Sequence, residues 1–130
     1  MERILNYLAE SLLSISPTET VLEAAHTMHD NGIHSLLVEA GGKFIGIITN
    51  NDISKKVVSE NLDPEKIQVA EVMSFPLVKL ESQESMEKAA QVMRDHKIHH
   101  LAITEHGQML GTLSISDYHK YLLKKHPGNM

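Results

Sequence analysis

The same segment occurs twice in this chain. A shift of 65 positions (89 minus 24) lays Ala24 and Ala25 on Ala89 and Ala90, Met28 on Met93, and Asp30 on Asp95 without a gap. Ile33 and His34 then meet Ile98 and His99, and Leu36 meets Leu101. Gly42 falls on Gly107, Gly46 on Gly111, and Asp52 on Asp117. Upstream the apolar pattern persists, with Tyr7-Leu8 on Val72-Met73 and Leu12-Leu13 on Leu77-Val78. A constant offset means one supersecondary unit used twice, and a unit of that size buries too little apolar surface to stand alone. The two copies must therefore pack together.

Each copy reads as strand, helix, strand, strand, helix. A short apolar strand, Leu12 to Ile15 or Leu77 to Leu80, leads to a helix with Thr20 or Ser85 as its N-cap. On the first helix Val21, Ala24, Ala25 and Met28 stand at i, i+3, i+4 and i+7, one buried stripe, and Met86, Ala89, Ala90 and Met93 repeat it. Strands Ser35 to Glu39 and Phe44 to Thr49 flank a Gly41-Gly42 turn; their counterparts, His100 to Thr104 and Met109 to Ser114, flank His106-Gly107. A second helix follows, from about Asn51 to Ser59 and from about Ser116 to Lys124, and Asn61 to Pro64 links the copies. The expected fold is α/β (α+β): repeats 1–61 and 62–130, each a small sheet with helices on one face, packed about a pseudo-twofold axis. The Ala-Ala pairs serve either packing inside the chain or a helical face for a homodimer.

Composition narrows the function classes. Among 130 residues, 12 Lys and Arg stand against 17 Asp and Glu, with no Trp, three Tyr and two Phe. That chain lacks the basic stripe and stacking platforms of a nucleic-acid binder. No apolar run approaches the ~20 residues that span a bilayer, and Met1 to Leu13 does not read as a secretory signal. Cysteine is absent, which removes disulfides and leaves a cytoplasmic location as the expectation.

Chemistry concentrates where the last strand of each copy ends. Copy one has Gly46-Ile47-Ile48-Thr49-Asn50-Asn51-Asp52; copy two has Gly111-Thr112-Leu113-Ser114-Ile115-Ser116-Asp117. Two readings fit. Thr49 and Ser114 are N-caps whose Asp reaches back to the cap amide, a capping box. Alternatively, a helix N-terminus and a hydroxyl face an anionic group while the Asp accepts hydrogen bonds from sugar hydroxyls.

The ordered pieces resemble a tandem pair of CBS domains, the cystathionine β-synthase-type repeat or Bateman module, from about Leu8 to Leu123. Copy two carries it through Ala70-Glu71-Val72-Met73, Ile98-His99-His100-Leu101-Ala102-Ile103 and the Gly111 to Asp117 segment. Copy one carries it through Ile15-Ser16-Pro17, Gly32 to Val38 and Gly46 to Asp52. The resemblance implies an adenosine-containing regulatory ligand (AMP, ADP, ATP or S-adenosylmethionine) in clefts between the repeats. In the favoured cleft Asp117 would hold the ribose, Ser114 would face phosphate with His99 and His100 nearby, and Leu13 and Ile33 would lie against adenine. The other cleft would use Asp52, Thr49 and His34, with Val78 and Ile98 beneath the base. The chain departs from the family pattern at Leu37 and Ala102, where a Pro is frequent, and at Ser35, which stands where copy two has His100. The first cleft thus holds fewer cations.

No catalytic constellation is present: no Cys nucleophile, no GxSxG elbow, no GxxxxGK[ST] loop. His26, His29 and Asp30 could bind a metal as a helical pair, and His96, His99, His100 and His106 cluster in sequence. Copy two replaces the first two with Gln91 and Arg94, however, and zinc needs three or four convergent ligands. The expectation is a regulatory module, no enzyme, with no metal, acting as a homodimer or on an unknown effector protein. The alternative is a nucleotide-free docking module in which Asp52 and Asp117 are caps alone.

Overall fold

The computed structural model of the chain describes residues 2–8 and 12–126. It divides into two compact units, Leu13–Leu77 and Val78–Met130 together with Met1–Leu12. The second unit therefore takes its opening segment from the far end of the sequence.

In the first unit, β1 (Ser14–Ile15) lies parallel to β2 (Ser35–Ala40), and β2 is antiparallel to β3 (Lys43–Thr49). The hairpin turns on Gly41 and Gly42, with φ of 58° and 78°; a two-residue turn with both φ positive matches strand twist, and glycine adopts it freely. α1 (Val21–Asn31) is capped by Thr20, whose hydroxyl accepts the Glu23 amide at 3.1 Å, and ends at Gly32 in the left-handed region. Its stripe Val21, Ala24 and Met28 is buried against Leu36, Val38 and Ile48. α2 (Asn50–Ile53) packs on the same face, since it touches both α1 and β3.

The expected helix from Asn51 to Ser59 forms from Asn50 to Val58 but changes its winding part-way. α2 gives way to a π turn over Ser54–Val58, closed by the Ser59 amide on the Ser54 carbonyl at 2.9 Å. The adjacent β-branched Val57 and Val58 lower that stretch's preference for a tight helix, and the wider turn still buries Val57.

A short helix, α3 (Val69–Val72), was not expected at all. It completes the first unit's core through Val69 and Val72. The Val21 amide donates to Ile67, and the Val69 amide donates to Glu19, each at 2.8 Å, so this segment satisfies an otherwise orphaned amide of α1.

The second unit repeats the plan with β4 (Lys79–Glu81), α4 (Met86–His96), β5 (His100–Glu105), β6 (Gln108–Ser114) and α5 (Ile115–Lys125), in sheet order β4-β5-β6. Ser85 caps α4 through the Lys88 amide at 3.0 Å. A 3-10 turn at Ile4–Tyr7 does here what α3 does in the first unit. The Met86 amide donates to the Glu2 carbonyl at 3.1 Å, and Ile4 is fully buried with Met93, Leu101, Leu113 and Tyr121. Where α1 ends on Gly32, α4 ends on Lys97 at φ 56°, in the same left-handed conformation.

Candidate functional site

Both capping boxes form. In copy two the Ser114 amide donates to Asp117 Oδ2 at 2.8 Å, the Ser114 hydroxyl donates to the same oxygen at 3.0 Å, and the Asp117 amide donates to Ser114 Oγ at 3.1 Å. In copy one Thr49 and Asp52 make the same three contacts at 3.0, 3.1 and 3.1 Å. β-strand registry delivers the neighbours: His100 pairs with Ser114, and Ser35 with Thr49. The Ile115 amide donates to the His99 carbonyl at 2.8 Å, as the Asn50 amide does to His34 at 3.1 Å. Asp117, Ser114, His99 and His100 thus lie together in the second unit, and Asp52, Thr49 and His34 in the first.

Of the apolar positions, Leu13 and Ile33 are half-buried against the first unit's core, and Val78 and Ile98 against that of the second. Their setting is duplicated: the Leu37 amide donates to Leu13 at 3.3 Å, the Ala102 amide to Val78 at 3.0 Å. A cavity of about 560 Å³ opens beside Ile33 and His34, walled by Met28, His29, Asn50 and Ile53.

The boxes differ in what else their carboxylates hold. Asp117 is half-buried, and among the described residues its Oδ1 has no hydrogen-bond partner. Asp52 Oδ1 instead accepts the Ser74 hydroxyl at 2.9 Å and pairs with Lys56 Nζ at 3.0 Å, leaving the Asp52 side chain only 8% exposed. Lys56 also donates to the Val72 carbonyl at 2.9 Å, at the C-terminal end of α3 where a cation is favoured. Sequence reasoning missed both partners. The Asp52–Lys56 spacing of i, i+4 was a readable signal; Ser74 was not.

Among the described residues, a second polar cluster occurs in copy two and has no counterpart in copy one. The buried Tyr121 hydroxyl donates to Glu87, and Lys125 Nζ reaches Glu87 at 3.3 Å and Tyr121 at 3.2 Å. The phenol holds the Glu87 carboxyl below its ordinary value, and the same bond pushes Tyr121 above its own. Tyr7 packs edge-on to Tyr121 with centroids 5.4 Å apart. These groups wall an open cavity of about 800 Å³ with Arg3 and Asn6.

Among the described residues no three His, Asp or Glu side chains converge on a point that could hold a metal ion. No described helix is long and apolar enough to cross a membrane.

The CBS domain family model matches residues 5–59 and 69–124. An uncharacterised protein of Methanopyrus kandleri is 35% identical over 104 residues, spanning 78% of this chain and 53% of the relative. This chain therefore spans about half the length of that relative. Among solved structures, a protein with CBS domains from Burkholderia ambifaria MC40-6 superposes with a TM-score of 0.86 at 27% identity, covering 93% of this chain and 91% of that one. A CBS domain protein from Pyrobaculum aerophilum complexed with AMP gives a TM-score of 0.79 at 23% identity, covering 89% of each chain.

Proposed function

The chain belongs to the CBS domain family, and from that membership we propose a regulatory sensor, with no catalytic role, for an adenosine-containing nucleotide of the AMP, ADP or ATP class. The observation that carries the proposal is the second box. Asp117 is oriented by Ser114, yet it keeps one carboxylate oxygen unengaged among the described residues, as an acceptor for ribose hydroxyls must. His99 and His100 supply donors for phosphate, Leu13 and Ile33 supply apolar surface for the base, and Ser114, whose amide and hydroxyl are both given to Asp117, holds that carboxylate in place beside the phosphate. Asp52, Thr49 and His34, with Val78 and Ile98, are the counterpart set. The AMP held by the Pyrobaculum aerophilum protein supports this ligand class. The signal passes to an effector protein or through a change in self-association, a homodimer being the simplest form. A ligand can bias that equilibrium only by its differential affinity for the two states.

Thermal shift with AMP, ADP, ATP, S-adenosylmethionine and GTP tests the proposal. Ligand at 100 times its Kd adds about 2.7 kcal/mol, a rise of several degrees. The expected result is a rise with an adenine ligand and none with GTP, abolished in Asp117→Asn. Completed capping boxes favour one other reading, a docking module in which both Asp are caps. Then Asp117→Asn costs about 0.5–1 kcal/mol, and no nucleotide shifts the native protein.

A further inference from the structure

A carboxylate offers about four acceptor positions. At Asp52 all four are taken: the Thr49 amide and hydroxyl on Oδ2, the Ser74 hydroxyl and Lys56 ammonium on Oδ1. A ribose could engage that group only by displacing two of these partners, one of them charged. The partners are themselves held. Ser74 sits against the open edge of β3, where the Ile47 amide donates to it at 3.0 Å and its own amide donates back at 2.8 Å. Lys56 spans from Asp52 to the Val72 carbonyl. The segment leaving α3 is thereby pinned to the first unit at its backbone and at a side chain.

Among the described residues copy two shows neither fastener. The offset places Tyr121 opposite Lys56, and Ala9, a residue without a hydroxyl, opposite Ser74. Tyr121 directs its hydroxyl to Glu87 instead of Asp117. Identical boxes have thus acquired different duties through two substitutions outside the shared motif.

We infer that Asp52 is a fastener for the segment between the repeats, withdrawn from ligand binding by Lys56 and Ser74, so that the chain takes up one nucleotide, at Asp117. The count of one rests on the nucleotide reading above; the fastening does not.

Two measurements separate them. Without ligand, Asp52→Asn lowers the melting temperature by about twice as much as Asp117→Asn, because it weakens charge-assisted bonds to two further groups. Ser74→Ala and Lys56→Met, which leave both boxes intact, each reproduce part of that loss and speed hydrogen exchange of the Ile47 and Ser74 amides. Calorimetric titration with AMP gives one site per chain in the native protein, none in Asp117→Asn, and one of unchanged Kd in Lys56→Met. Equal melting losses in the two Asp→Asn variants, with native exchange in Ser74→Ala, would overturn the fastening. Two sites per chain, or a single site lost in Asp52→Asn and kept in Asp117→Asn, would overturn the assignment. If AMP and the other adenine ligands fail to bind, the nucleotide reading falls and the melting and exchange data still decide the fastening.

Discussion

Replacing Gly46 with alanine puts a methyl group into the space where the segment after α3 meets β3. A Cβ built there lies 2.9 Å from the Ser74 carbonyl oxygen and 2.9 Å from Met73 Sδ, distances that ordinary packing does not allow. The thioether can swing away, being the far end of a flexible side chain. The carbonyl cannot, because it accepts the Ile47 amide at 3.0 Å. Two responses are open. Either the strand pair shifts by a few tenths of an ångström, an overpacking strain of about 1–3 kcal/mol, or the segment detaches. Detachment gives up both Ile47–Ser74 bonds and the Ser74–Asp52 bond, at about 0.5–1.5 kcal/mol each. Strain costs about 1–3 kcal/mol and detachment about 1.5–4.5 kcal/mol, so the cheaper route keeps the loss within about 1–3 kcal/mol, roughly 4–12 °C of melting temperature at this chain length. Urea and thermal unfolding measure the total, and hydrogen exchange at Ser74 distinguishes strain from detachment. Gly41→Ala is the control: its Cβ meets open space, but φ is 58°, so it costs about 1 kcal/mol through backbone conformation alone and leaves Ser74 exchange unchanged. A Gly46→Ala protein that melts with the native one refutes the close approach.

Two further outcomes follow from copy two. Folding favours the ionised form of Glu87, so that contribution is present above its ordinary value of 4.5 and is lost as pH falls through the lower folded value. Tyr121 is held neutral, and Lys125 is favoured as the cation, so theirs are intact below 10.0 and 10.5 and fade as pH rises through the raised folded values. Tyr121→Phe should lower the neutral-pH stability by about 1 kcal/mol and flatten the alkaline limb of urea midpoints against pH; an unchanged alkaline limb counts against the cluster. Lys97→Gly should raise stability by about 0.5–1 kcal/mol, since the position requires a left-handed backbone that Gly32 supplies in copy one. A fall in urea midpoint would show that the lysine side chain matters more than its backbone.

What could be read from the sequence was whatever repeats or has a period. The offset made each element in one copy a check on the other, and the caps Thr20 and Ser85, both hairpin turns and both boxes stand where that reasoning put them. α3 was hidden because four residues, Val69–Val72, hold little more than one helical turn and show no periodicity. Its one local mark was Glu71 three places after Gln68, whose amide it accepts at 2.8 Å. The expected helix from Asn51 to Ser59 has the right extent, helical from Asn50 to Val58, but its change of winding was hidden because apolar spacing does not distinguish an α turn from a π turn. The largest omission was the unequal engagement of Asp52 and Asp117. Ser74 reaches Asp52 across 22 positions and Tyr121 reaches Glu87 across 34, and neither contact leaves a trace in spacing or composition.

The borrowed opening segment has a consequence in time. Synthesis runs from the N-terminal side, and every core residue of the first unit, from Ile15 to Val72, lies in one continuous stretch. That unit can close while the rest is still being made. Ile4 must wait for Tyr121, which follows it by 117 positions (121 minus 4). Throughout that interval Ile4, Tyr7 and Leu8 are apolar groups without their core, available to chaperones or to neighbouring chains on the same message. Two halves built on one plan are therefore far from equivalent during synthesis.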